Sequence, residues 1–142
     1  MRRTPAAFWV AVLAAGLAPA ASAVAAAVRA NAFPAQLVGT WTRTVTKADV
    51  TREEAAPSLA GSACTLTVKR GGSARIVCPH TPGAVFTGTI VPKGKNHVQV
   101  VFGDLSPNSY SWRVAGRHLV LAKLEDPTPD RAATMAGTWT RK

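Results

Sequence analysis

Acidic side chains are scarce in this 142-residue chain, where seven Asp and Glu stand against 17 Lys and Arg. The adjacent pair Glu125 and Asp126 falls at the end of a strand-like run, where neighbours point to opposite sides and no catalytic carboxylate pair forms. Histidine is equally sparse: His80, His97 and His118 lie far apart and read as surface residues. A zinc site needs three or four converging ligands, so no metal and no cofactor is expected. The serines occur in no nucleophile motif, and the glycines of "GG" and "PKGKN" lack the strand–turn–helix setting of a phosphate loop. These absences together read as a non-enzyme.

Cysteine is nearly absent too, and the two present carry information. The chain begins with Arg2 and Arg3, an uncharged run "PAAFWVAVLAAGLAPA" and the small residues "ASA" at Ala21–Ala23. This is the layout of an export signal spanning residues 1–23. No cysteine follows the cut, so no lipid is attached there and no stable membrane anchor is expected after cleavage. In an exported chain two cysteines imply a disulfide, Cys64 with Cys78. The expected location is secreted, extracellular or periplasmic in a two-membrane cell. The remaining residues suit one domain, read as a flexible tail over 24–36 and a barrel over 37–142.

Removing Arg2 and Arg3 lowers the formal charge of +10 by two and leaves the chain basic. The cations are scattered singly or in pairs, which reads as a solubility device. Tyr110 and Trp112 beside Arg113 and Arg117 match what a sheet-based nucleic-acid reader would display. The same residues serve a barrel interior, and an exported protein seldom meets nucleic acid, so none is expected as a partner. The expected state is a monomer.

Long amphipathic helices are missing, and period-two alternation fills the space. About eight strands are legible: "LVGTWTRTVT", "CTLTVKR", "SARIVCP", "AVFTGTI", "HVQVVF", "SYSWRV", "HLVLAKL" and "MAGTWTRK". Turn signals separate them, and two longer connections each hold a potential helical turn, around "TREEAA" and after Pro129. Placing Cys64 opposite Cys78 sets Leu66 against Ile76 and Val68 against Ala74 on one face, with Arg70-Gly71-Gly72 as the loop. A second hairpin, turning at Ala115-Gly116, sets Trp112 against Leu119 and Tyr110 against Leu121.

The phrase "GTWTR" occurs twice, at Gly39–Arg43 and Gly137–Arg141. An eight-stranded open sheet would leave two edges exposed; pairing the first strand with the last removes both. The fold class is therefore all-β, an antiparallel up-and-down barrel of about eight strands closed by its first and last strands and fixed by one disulfide. Across the seam, an arginine of one copy is expected to stack near a tryptophan of the other.

"LVGTW" resembles the Gly-x-Trp signature of lipocalins and related calycin-type barrels. In that family the tryptophan packs at the closed end and a late arginine covers it. Gly39 and Trp41 match, with Arg141 or Arg131 as the late arginine and Trp139 as the partner across the seam. The family's other motifs and its carboxyl-terminal helix are not visible. The resemblance implies a non-enzymatic binding protein, with Phe86, Phe102, Tyr110, Trp112, Leu119 and Leu121 as candidate walls for a small apolar ligand. A second resemblance is to secreted barrels that inhibit bacterial metalloproteases, in which a tail like "VAAAVRANAFPAQ" enters the protease cleft. That implies an extracellular protein partner instead. A barrel filled by its own side chains, serving a structural role, is the third alternative.

Overall fold

The computed structural model describes residues 32–79, 85–103 and 106–142. The expected signal peptide, most of the expected tail and His80 lie outside the described residues.

Eight antiparallel strands close into a barrel in chain order: β1 (Gly39–Thr44), β2 (Ala63–Val68), β3 (Ser73–Val77), β4 (Val85–Pro92), β5 (His97–Val101), β6 (Ser109–Ala115), β7 (His118–Glu125) and β8 (Gly137–Arg141). Threonine and valine fill the alternating positions, as a pleated surface with one wet face favours. The inward set includes Trp41, Leu66, Val68, Ile76, Val98, Val100, Tyr110, Leu119, Leu121 and Trp139, all nearly devoid of exposed surface.

An up-and-down path puts alternate connections at opposite ends. Tight hairpins β2–β3, β4–β5 and β6–β7 lie at one end, here the hairpin end, where β1 begins and β8 finishes. A 3₁₀ turn, Ala35–Leu37, leads into β1 there. The longer connections lie at the other, helical end. β1 is joined to β2 through α1 (Lys47–Glu53) and a 3₁₀ turn, Pro57–Leu59; β7 is joined to β8 through α2 (Pro129–Met135).

Both helices start on local signals. Thr46 and Asp49 form a reciprocal capping box at α1. Pro129 stands in the first turn of α2, where its missing N–H is no loss. The helix expected around "TREEAA" thus begins earlier, at the capping box, and ends where Glu54 adopts a left-handed conformation.

The β2–β3 hairpin has the expected register, Leu66 opposite Ile76 and Val68 opposite Ala74. Its loop closes by a Lys69 N–H to Ser73 carbonyl bond of 2.8 Å. Cys64 and Cys78 form a disulfide with their Cα atoms 4.3 Å apart. The β6–β7 hairpin corrects the sequence reading. Its turn is Gly116-Arg117, one position later than expected, so Trp112 faces Leu121 and Val114 faces Leu119. The same register sets Tyr110 opposite Lys123 rather than Leu121, and an irregularity between Ser109 and Tyr110 places Ser109 opposite Glu125. The shift by two residues keeps every side chain on its face, so the inward aromatic set survives the change.

β1 and β8 pair with Trp41 opposite Arg141 and Thr42 opposite Thr140. Two copies of one pentapeptide therefore run past each other antiparallel and seal the cylinder. Each tryptophan donates its indole N–H to the carbonyl four residues earlier, Trp41 to Leu37 and Trp139 to Met135, both at 3.0 Å. Trp41 thereby plugs the hairpin end against its 3₁₀ turn, and Trp139 plugs the helical end against α2.

Each arginine completes the plug of the opposite copy. Arg141 lies 4.2 Å from the Trp41 ring centroid and donates to the carbonyls of Val38 and Gln36. Arg43 donates to the carbonyls of Ala133 and Thr134 at the end of α2. Gly39 and Gly137 sit at φ +143° and +142°, and a Cβ at either would collide with the guanidinium of Arg141 or Arg43 respectively. The repeated glycine is thus required twice over, by backbone conformation and by the closeness of the arginine.

Candidate binding site

The barrel interior is filled: Trp41, Trp139 and Tyr110 are fully buried. Open space remains at the helical end, as a cavity of about 230 Å³. One wall is barrel: Ile76 and Cys78 at the end of β3, Phe86 at the start of β4 and Phe102 just beyond β5. The other wall comes from the connections, with Leu59, Met135 and Thr134 apolar or neutral and Thr128, Asp130 and Arg131 supplying polarity. Phe86 is 48 % exposed and Phe102 only 9 %, so the two rings grade from rim to floor.

Four kinds of contact hold the second wall in place. Asp130 accepts from the Ala56 N–H at 2.8 Å, tying α2 to the β1–β2 connection. Arg131 makes a two-pronged bond to Asp126, 2.8 Å from Nε and 2.7 Å from Nη2. The Tyr110 hydroxyl donates to the same carboxylate from the barrel floor. Arg43 pairs with Asp49 at 2.6 Å while gripping the end of α2, so α1 and α2 are locked to β1 through one guanidinium. A further pair of contacts joins Glu53 to Arg52 and to Lys123 of β7.

Burial alone would raise the Asp126 carboxyl, but the Arg131 bonds, the Tyr110 hydroxyl and the Thr128 N–H outweigh it and hold the group below the usual range. Asp49 behaves alike: burial opposes ionisation, while Thr46, Arg43 and Arg52 favour it and prevail. Burial also opposes the Glu53 charge, and Lys123 with Arg52 overcomes it. Burial and the neighbouring Asp126 push the Tyr110 phenol far above its ordinary value. Near neutral pH these carboxylates are charged and engaged, and the phenol keeps its proton. Their bonds brace the cavity. Among the described residues no group of three His, Cys, Asp or Glu gathers closely enough to hold a metal, and no helix is long and apolar enough to cross a membrane.

Of the residues expected to form a ligand wall, Phe86 and Phe102 line this cavity. Tyr110, Leu119 and Leu121 are packed into the core, and Tyr110 reaches the site only through its hydroxyl on Asp126. Trp112 is half-buried against the core, and its indole N–H has no hydrogen-bond partner among the described residues. His97 and His118 are exposed on strands. Leu59, Ile76 and Met135 escaped the sequence reading. The sequence places Met135 at the head of the last strand, "MAGTWTRK"; the structure makes it the last residue of α2, four residues before Trp139. Of the expected tail, residues 32–36 are described, and Phe33 packs partly buried against the core.

No family model matches the chain, and neither a curated protein nor a solved structure matches it.

Proposed function

We propose that this is a non-enzymatic, lipocalin-like binding protein of the exported compartment, which takes a small, compact apolar molecule at the helical end of the barrel. The cavity carries this reading: it is apolar, rimmed by an exposed phenylalanine and built into an otherwise filled barrel. Ligand pockets run from roughly 300 to 1,000 Å³, while an apolar cavity of about 150 Å³ suffices for benzene. A space of about 230 Å³ therefore suits a single substituted ring or a short branched chain and is too small for a long acyl chain. The lipocalin resemblance is supported by Arg141 covering Trp41 where β1 begins, with the cavity at the opposite end beside α2. Export is supported by the leader and by the disulfide, which persists outside reducing compartments.

Toluene, as a single-ring probe, tests the site by amide and methyl NMR. It is expected to shift the resonances of Ile76, Phe86, Phe102 and Met135 and leave the hairpin end unmoved. Thr134→Trp, which fills the rim, should abolish those shifts. If the folded wild-type protein shows no shift at these residues at saturating probe, the space is a packing void and the barrel is structural.

A further inference from the structure

The barrel sorts its charge by end. The turns of the three hairpins and the β8 terminus form four corners around the rim of the hairpin end. Exposed Lys69 and Arg70 stand at the β2–β3 corner, Lys93 and Lys95 at β4–β5, Arg117 at β6–β7 and Lys142 beyond β8. Arg75 and Arg113 point outward from the strands just below. Among the described residues every Asp and Glu, by contrast, belongs to a connection at the helical end or is the last strand residue before one. Arg43, Lys123 and Arg131 are largely neutralised there by Asp49, Glu53 and Asp126. Among the described residues, no ion pair joins a cation of the hairpin rim to a carboxylate.

The apolar exposure is sorted as well. The large exposed hydrophobics, Val85, Phe86 and Leu124, lie at the start of β4 and near the end of β7, and so toward the helical end. Among the described residues, the aromatic rings nearest the hairpin rim, Phe33 and Trp112, are half-buried against the core rather than displayed for a base or sugar to stack on, and stacking is a principal part of single-stranded nucleic-acid binding. The cations are arranged around the end of a cylinder and line no groove that a linear polymer could follow. They also surround the point where the chain enters β1, downstream of the apolar leader.

We propose that the hairpin end is a peripheral docking face for an anionic phospholipid surface, on which the barrel stands with its cavity directed away from the lipid. The interaction is electrostatic and reversible: each cation close to the headgroup plane contributes roughly a five-fold gain in partitioning at low salt, and the attraction decays within a Debye length. Nothing in it depends on the cavity holding a ligand.

The test is co-sedimentation of the full chain with vesicles of phosphatidylcholine alone or with about one-third phosphatidylglycerol. The readout is the excess binding to the anionic vesicles over that to the neutral ones. That excess should fall steeply with added salt. Lys93→Glu with Lys95→Glu is expected to reduce it by about 25-fold or more, and Lys93→Glu alone by about five-fold. Lys47→Glu changes net charge as much as Lys93→Glu, but on α1 at the helical end, and should leave binding within about two-fold of wild type. Equal losses from Lys93→Glu and Lys47→Glu would show that net charge acts and not the rim, overturning the proposal. So would the absence of any excess on anionic vesicles. Tighter retention on heparin or duplex DNA than on vesicles at the same salt would assign the face to a linear polyanion instead.

Discussion

The two ends of this barrel are closed by one device used twice, and the device behaves differently at each. At both ends a tryptophan of "GTWTR" seats its indole on a preceding turn of helix, a glycine yields space, and the arginine of the other copy caps the carbonyls. At the hairpin end Arg141 is half-exposed, stacked on Trp41 and without a carboxylate partner among the described residues. At the helical end Arg43 is 8 % exposed and bound to Asp49. The first arginine acts as a lid that water can reach, and the second as a rivet through two helices. The difference teaches that an identical peptide acquires its energetic weight from what its neighbours bury.

Acid should break the comparison most widely. Asp49, Glu53 and Asp126 all titrate below their ordinary values in the folded state, so unfolded chains bind more protons as pH falls. Their contribution is present above the unfolded value of about 4 and is lost as pH drops through the lower folded values. Amide NMR between neutral pH and about pH 2 should show α1 and α2 losing dispersion before the β2–β3 hairpin does. Simultaneous collapse would mean that the two ends do not differ in this way.

A single substitution sharpens it next. Asp49→Ala leaves the Arg43 charge buried without its partner and is expected to cost about 3–5 kcal/mol in urea unfolding with the disulfide intact. Its counterpart, Arg141→Ala, removes a partly exposed stacking contact and two carbonyl bonds and should cost only about 1–2 kcal/mol. The smallest contrast lies between the glycines. Gly39→Ala and Gly137→Ala carry the same backbone strain of about 1–3 kcal/mol. Arg141 can swing toward solvent to admit the new methyl group and Arg43 cannot, so Gly137→Ala should be the more destabilising of the two.

Much of this architecture was legible in the residues because strand signals are local. Period-two alternation marked all eight strands, and the cysteines with their two-faced pattern set the β2–β3 register. The repeated pentapeptide announced the seam. The β6–β7 register was misplaced because "AGR" offers two adjacent turns, and a choice between them is made by contacts along both strands. The braces of the cavity were illegible for another reason. Arg43 with Asp49, and Tyr110 with Asp126 and Arg131, are joined only once the connections fold back over the barrel end. The sorting of charge lay between these cases. The cations seemed scattered along the chain, yet alternate connections of an up-and-down barrel share an end, and among the described residues the acids occupy only one set.

The seam has one more consequence. Because β1 and β8 carry the same pentapeptide and meet antiparallel about Thr42 and Thr140, each edge complements its own copy as well as its partner. When β8 peels away from β1, the freed β1 of one molecule can accept the β1 of another in the same geometry, tryptophan opposite arginine and threonine opposite threonine. Opening the cylinder thus creates a two-fold-symmetric sticky edge, and edge-to-edge dimers joined through β1 are the form in which a transiently opened population would be caught.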